Sequence, residues 1–394
     1  MKARLHETWV NLAAHPVAWP VAQVLRALGP VVRVPGLGVV INDLELAHEI
    51  LGRDDAFTKN GEGSIAAVFT QAMGPFALAN MDGDAHRQLR SRLGDLLTPA
   101  RCAALLDACR APLDEAWARL ASGETVDLVA VTRVFSGRLT MEMMGIAPGD
   151  EDRNDAALRV FVLGERIAAA LQLHPLTGSR LESVRGDLDR LTGYARSAFE
   201  NPDLAPGSLV HRLREMGLNG EEARGVLSIF FIAGTLTAAV ALPRVIALLV
   251  DSRNMDAIRD DTTLTAKAVD ECLRLTTPVP ATVRITARDS DVRGHRFRRG
   301  TRVVLLTANM ARDPAVFPGA GKLDIHRTFD ARGRYLWYGA GPHFCLGFPL
   351  AQREMHLVVG ELAQLPGHLR IVRRRAATGV LLPAYARLDL RLDP

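Results

Sequence analysis

Along most of the chain, hydrophobic positions recur at the three-and-four spacing of amphipathic helices; only in a few stretches does the spacing shorten to two. The first short-period stretch is Val31-Val-Arg-Val34, a Gly36-Leu-Gly38 turn and Val39-Val-Ile41, which predicts a β-hairpin. Asn42 and Asp43 follow as caps for a helix over 44–51. From about residue 84 the pattern is helical. Thr98 followed by Pro99 marks a helix start, with Cys102, Leu105, Leu106 and Cys109 on one face. Further helical segments are predicted at 126–145, 154–171, 179–200, 208–217 and 221–250. Strands return at Thr282-Val-Arg-Ile-Thr-Ala287 and, after Arg299-Gly300, at Thr301-Arg-Val-Val-Leu-Leu306. A Gly/Pro-rich stretch covers 314–347, a helix follows over 346–365, and the tail alternates again. There is no internal repeat, low-complexity block or linker. The expectation is one integrated, mainly α domain over 1–394 with small β regions.

Composition narrows the class. The chain has 394 residues, 48% of them hydrophobic, enough for a large core. A charged fraction of 23%, with 33 Gly and 21 Pro, excludes disordered and collagen-like chains. Four cysteines, Cys102, Cys109, Cys272 and Cys345, are too few for a disulfide framework and fit no common zinc spacing, so a reduced, cytoplasmic setting is expected. A net charge of +4 is too small to imply nucleic acid, though it permits local attraction to an acidic partner. The N-terminus lacks a signal-peptide apolar region. The uncharged run Gly225–Pro243 approaches the length of a membrane span, but Ser228, Gly234, Thr235 and Thr237 interrupt it and it reads as a buried core helix. A soluble monomer without a membrane partner is the expectation.

The richest segment is Trp337-Tyr-Gly-Ala-Gly-Pro-His-Phe-Cys-Leu-Gly347. Three glycines surround one cysteine, and a helix begins just after it. Glycines permit positive φ or close backbone approach. A cysteine at a helix N-terminus is biased towards thiolate. Such a thiolate is a metal ligand, or a nucleophile with His343 as its base; the bland alternative is a buried structural thiol. The run resembles the haem-binding signature of the cytochrome P450 superfamily, departing only at the first position, where Tyr338 replaces the usual Phe. Three further matches lie in the family's order. Glu271-Cys-Leu-Arg274 places an acid and a base on one helix face and is similar to the family's Glu-x-x-Arg motif, which implies a buried network completed by Arg327. His86 and Arg90 share a helix face, and the resemblance makes them haem-propionate partners together with Arg284 and His343. Phe231-Ile-Ala-Gly-Thr-Leu-Thr237 is similar to the distal helix.

The resemblance covers essentially the whole chain. It implies the P450 fold, a single triangular, helix-rich domain around haem b, with the iron on the Cys345 thiolate and Tyr338, Gly339 and Gly347 shaping the loop. It implies catalytic positions at Ala233, Gly234 and Thr237, and a substrate pocket at Thr235, Leu236, Pro280, Ala281 and Thr282. Gly61, Gly63, Ala66 and Ala67 suggest an entry loop. The implied partners are a ferredoxin and an NAD(P)H-dependent ferredoxin reductase, with Arg353, Arg101 and Arg110 offered as a basic dock, and a small-molecule or carrier-bound substrate. One position departs: Leu236 stands where the family has Asp or Glu. Leucine cannot relay a proton, while Thr in a buried helix usually bonds its own i−4 carbonyl. The expected activity is monooxygenation of an apolar small molecule. Leu236 keeps open aromatic coupling, nitration or nitric oxide reduction, and a non-catalytic ligand-binding protein.

Overall fold

The computed structural model describes residues 2–61, 64–74, 76–171, 178–200, 207–330 and 333–393. The chain runs through α1 (Lys2–Ala14), α2 (Ala18–Leu28), β1 (Val31–Val34), β2 (Gly38–Ile41), α3 (Leu44–Gly52), β3 (Phe57–Thr58), α4 (Ile65–Met73), α5 (Gly83–Leu93), α6 (Pro99–Cys109) and α7 (Ala111–Ala121). It continues with β4 (Val126–Asp127), α8 (Leu128–Met144), α9 (Arg153–Leu171), α10 (Ser179–Glu200), α11 (Leu209–Glu215), α12 (Gly220–Asp251), α13 (Asn254–Asp260) and α14 (Leu264–Thr276). The last part holds β5 (Thr282–Thr286), β6 (Ser290–Val292), β7 (His295–Phe297), β8 (Arg302–Leu305), α15 (Thr307–Met310), α16 (Phe348–Gln364), β9 (His368–Ala376) and β10 (Tyr385–Asp393).

Helix α12 organises the core. Asn219 accepts from the N–H groups of Glu221 and Glu222 while the Glu222 carboxylate takes the Asn219 N–H, a capping box that fixes its start. The helix is apolar on all sides, so it is threaded through the protein rather than laid on it. By composition it is long enough to cross a membrane, yet 67% of its most apolar window is buried inside the fold, as the interrupted apolar run predicts. On one side it packs with α7, α8, α14, α16 and β10; on the other with α9, α10 and α11.

The short-period stretches meet in space. The sheet order is β1-β2-β8-β5-β3, so the N-terminal hairpin pairs in parallel with a strand some 260 residues later, Val39 opposite Val303 and Ile41 opposite Leu305. The antiparallel β5–β3 pair sets Ile285 beside Thr58. A second sheet joins β4, β10 and β9.

Several expectations are corrected. Helices α1 and α2 precede the hairpin. The β6–β7 hairpin was masked by its charges; Arg293 and Gly294 make its turn, both at positive φ. Thr98 occupies the N-cap of α6 without a capping bond. Ala66 and Ala67 belong to helix α4, capped by Ser64, instead of a loop; Gly63 lies outside the described residues.

A buried ion pair ties the ends of the chain to the core. Arg244 of α12 is wholly buried and donates to Glu7 of α1, to the carbonyl of Thr276 at the end of α14 and to the carbonyl of Pro383 before β10. Removing one partner leaves an uncompensated buried charge, which costs about 3–5 kcal/mol. Glu7→Ala is expected to lower unfolding stability by about that amount, read as a shifted chemical-denaturation midpoint.

Candidate active site

The cysteine loop is shaped by its backbone. The N–H of Cys345 donates to the Tyr338 carbonyl at 2.9 Å, closing the loop on itself. Gly341 has φ 66°, and a Cβ there would stand 2.2 Å from the Leu51 carbonyl oxygen of α3, so the position admits glycine only. Tyr338 and Phe348 pack edge to face around the turn, and Phe344 packs tilted against both. Helix α16 starts three residues after Cys345. Burial pushes the Cys345 thiol up in pKa; the N–H groups of Gly347 and Phe348 and the charges of Arg90 and Lys59 act in the other direction.

Around this cysteine the fold gathers cations. Arg284, on β5, is 3% exposed, and its guanidinium donates to the Thr282 hydroxyl at 3.2 Å and the Val283 carbonyl at 2.9 Å. Burial pulls it down to about 10, against the attraction of Asp82. Lys59 follows β3; burial and the neighbouring Arg284 lower it to about 7. Arg90, on α5, is lowered by burial and raised by Cys345. His86, one turn earlier, is 1% exposed and stacks on His343 with centroids 4.2 Å apart. Burial, then His343 and Arg90, push it down to about 4, and its Nδ1 has no hydrogen-bond partner.

One carboxylate serves this group. Asp82 accepts from the N–H groups of Lys59 and Asn60 at 3.0 and 3.1 Å, and His343 Nε2 lies 3.1 Å from its other oxygen. Burial opposes its ionisation, but these hydrogen bonds prevail and hold it below the usual carboxylate range. Lys59, Arg90 and Arg284 therefore share one acid that is already engaged. Buried charge without a counter-charge is costly. A ligand bearing two carboxylates beside an iron that takes a thiolate fits this donor set: the cations answer the carboxylates and Cys345 answers the metal. Lys59 and Asp82 were not anticipated, because their proximity arises from the β3–β5 pairing.

Helix α12 shows three environments in five residues. Ala233 and Gly234 are exposed in the middle of an otherwise buried helix, and beyond Gly234 the nearest side-chain atom to an added Cβ is Met143 Cε at 3.7 Å. The Thr237 hydroxyl, on the same face, donates to the Ala233 carbonyl at 2.8 Å. Thr235 is 1% exposed and bonded to the Thr140 hydroxyl at 2.7 Å. Leu236 is 5% exposed and lines a cavity of about 120 Å³ with Arg133, Phe161, Glu165 and Ala239. In that cavity Arg133 donates to Glu165 at 2.8 Å, while burial raises the Glu165 carboxyl above its usual range.

Comparison with known proteins gives one answer. A family model described as Cytochrome P450 matches residues 208–364. The protein of Mycobacterium tuberculosis strain H37Rv named as cytochrome P450 140 is 28% identical over 368 residues, 87% of this chain and 81% of its own. Linalool 8-monooxygenase of Pseudomonas putida is 25% identical over 320 residues, 79% of this chain and 74% of its own. Epothilone B-bound cytochrome P450epoK superposes with TM-score 0.82 at 20% identity, covering 97% of this chain and 98% of that one. P450BioI, solved with an acyl carrier protein ligated to hexadec-9Z-enoic acid, gives 0.79 at 22% identity, covering 97% and 99%.

The chain belongs to the cytochrome P450 superfamily. It is a haem-thiolate oxidoreductase, its haem bound through a cysteine thiolate, and Cys345 lies within the matched residues.

In this P450 Glu271 and Arg274 of α14 are both fully buried and joined by two bonds of 2.7 Å. Arg327 adds a third bond to Glu271 at 2.9 Å, and Arg274 also donates to the carbonyls of Ala311 and Ala320. Spacing alone would have put the Glu-Arg pair on a solvated surface. The structure separates other residues that the sequence grouped. Thr235 and Leu236 leave the space beside Gly234, because successive helical residues turn by about 100°. Pro280, Ala281 and Thr282 lie half-buried where the chain enters β5, with the Pro280 carbonyl accepting from Ala308. Arg110 is committed to Asp114 and Glu361, and Arg101 to the Gly207 carbonyl, which leaves Arg353 as the exposed member of the suggested basic dock.

Glu354 of α16 is 3% exposed, and its one hydrogen-bond partner among the described residues is the Ser136 hydroxyl at 3.4 Å. Burial pushes it from 4.5 to about 8. The folded state thus binds a proton that the unfolded chain releases, so stability falls as pH rises from about 4.5 to about 8. Glu354→Gln keeps the shape and removes the titration. Its melting temperature relative to the parent is expected to rise across that window, and a parallel pair of curves would refute the assignment.

Proposed function

We propose that this P450 is a soluble, cytoplasmic monooxygenase, a single haem domain over 1–394, that oxidises an apolar small molecule, free or carried on a protein. Electrons come from a ferredoxin and its NAD(P)H-dependent reductase. The observation carrying this reading is the cationic cluster around the Cys345 loop, whose surplus charge two haem propionates would balance. Relatives support the reaction class: besides the linalool enzyme, luteothin monooxygenase of Streptomyces thioluteus is 27% identical over 295 residues. The acyl-carrier complex of P450BioI supports a carrier-bound substrate as one form of presentation.

In this reading Arg284, Arg90, His86, His343 and Lys59 would hold the propionates, and Cys345, in the loop shaped by Tyr338, Gly339 and Gly347, would hold the iron. The bound haem supplies the activation of dioxygen. Ala233 and Gly234 leave space on the opposite side, bordered by Pro280, Ala281 and Thr282, where an apolar substrate sheds water. Thr237 spends its hydroxyl proton on Ala233, so its oxygen lone pairs are available to accept from a water and orient it. Glu271, Arg274 and Arg327 brace the core behind the loop. Leu236 moves no proton. The carboxyl in its cavity is Glu165, whose pKa burial raises against the pull of Arg133, and which would pass a proton towards the helix through water.

Leu236 also favours a second reading, a haem-thiolate enzyme of aromatic coupling, nitration or nitric oxide reduction. Isotope-labelled dioxygen and the product's composition together separate them: monooxygenation adds one labelled oxygen and no nitrogen, nitration adds nitrogen, and coupling or nitric oxide reduction gives a product without the label. A ligand-binding protein would show ligand-induced spectral change without turnover.

Two measurements test the assignment. Cys345→Ser is expected to abolish the thiolate-type absorption spectrum, and its survival would sink the reading. Arg284→Leu removes a charge-assisted contact of about 1.5–3 kcal/mol, roughly ten- to a hundredfold in haem affinity, read by transfer of haem to an acceptor protein. For the proton route, Glu165→Gln is expected to divert more of the consumed electrons into peroxide and enlarge the solvent isotope effect. Unchanged coupling would exclude that carboxyl.

A further inference from the structure

Helix α2 is inside out. Its sequence, Ala-Trp-Pro-Val-Ala-Gln-Val-Leu-Arg-Ala-Leu, has two polar side chains, and both point inward. Gln23 donates to Asn309 at 3.2 Å, and Arg26 donates to the Arg312 carbonyl at 2.5 Å. The positions turned to solvent are apolar without exception: Val17 is 75% exposed, Val21 47%, Val24 59% and Leu28 67%, and Ala18, Pro20 and Ala27 join them. Leu37, at the tip of the β1–β2 turn, is exposed as well. Scattered exposed apolar residues are ordinary, but a helix that turns its half-buried polar side chains inward, beside the buried Leu25, and shows an unbroken apolar ridge implies that something covers the ridge.

Charge and size identify the cover. Between residues 1 and 41 the chain carries Lys2, Arg4, Arg26 and Arg33 and one carboxylate, Glu7, which is buried against Arg244. Arg33 is exposed just beyond α2, and its guanidinium reaches the carbonyl of Arg296, whose own exposed side chain faces Asp289 at 3.6 Å. An apolar ridge with the exposed Arg33 just beyond its end suits a surface that is apolar within and negative outside. A helix of 11 residues is about 16 Å long, and its ridge falls well short of the roughly 800 Å² per partner of a stable dimer. A lipid surface requires no matching shape.

We propose that α2 is a membrane-surface contact, lying in the headgroup region of an anionic bilayer with Val17, Val21, Val24 and Leu28 inserted and Arg33 among the headgroups. The adsorption is peripheral and reversible, and it requires no spanning segment. It revises the expectation of no membrane partner, which considered only spans and leaders.

The test is flotation of the haem-loaded protein with vesicles of phosphatidylcholine, with and without phosphatidylglycerol. Binding to the anionic vesicles, weakened by salt, is expected. The double variant Val21→Asp/Val24→Asp is expected to bind at least roughly tenfold less. Both positions are exposed, so its absorption spectrum and melting temperature should match the parent and show that the loss is local. No binding to anionic vesicles, or equal binding by the variant, overturns the proposal. So does a concentration-dependent dimer in sedimentation that the variant abolishes, which would assign the ridge to a second copy.

Discussion

Uncompensated positive charge beside a cysteine is the constraint on which the site is built. Lys59, Arg90 and Arg284 come from three elements distant in sequence, and in water each would stay solvated and apart. The fold forces them together: the β3–β5 register sets Thr58 against Ile285, which carries Lys59 to Arg284, while α5 brings Arg90 and His86 to the loop. Asp82 is too few counter-charges, and its bonds to His343 and two backbone N–H groups occupy it. Folding the protein part alone therefore costs desolvation that a dianionic ligand would recover. Binding and stability are linked at this point, because whatever neutralises the cluster binds the folded chain and not the unfolded one. The remainder of the architecture, with α12 on one side and α14 and α16 on the other, holds the cluster and the thiol in a fixed relation.

The Cys345 loop was readable because its chemistry is local. Glycine spacing, one cysteine and an ensuing helix lie within eleven residues. Even there, the reason for Gly341 is non-local: its missing side chain lets the Leu51 carbonyl approach, and no pattern in the loop announces α3. Helices α9 and α10 were readable because their apolar faces repeat over many turns, and α12 because its uncharged apolar run is too long for a strand. Lys59 and Asp82 were not, since a two-residue strand has no periodicity to recognise and its partner is over two hundred residues away. Helix α2 escaped for the opposite reason. Periodicity reports that a helix has an apolar face, not which way the face points.

The two buried glutamates beneath the site show how partners decide what burial does. Glu271 receives bonds from Arg274, Arg327 and the Asp324 N–H, which makes it the centre of a bracing network. Glu354, equally deep, meets one hydroxyl and keeps its proton to about pH 8. A sequence shows two helical acids in each case. Only the arrangement of basic residues around them separates a charged strut from a neutral group that becomes a liability in alkali.

The same accounting explains Leu236. Its side chain enters the small cavity where Arg133 already faces Glu165. A carboxylate at 236 would place two acids on one guanidinium in a partly buried space, and like charges there drive one of the pair to stay protonated. Leucine removes that conflict and packs against Phe161 and Ala239 instead. The acid has not been lost from this region of the fold; it stands on α9 rather than α12, one helix removed from Thr237. In the proposed route a proton would start from Glu165 on α9 instead of from position 236 on α12. The relocated acid and the relieved charge clash are the physical form that the departure from the family pattern takes here.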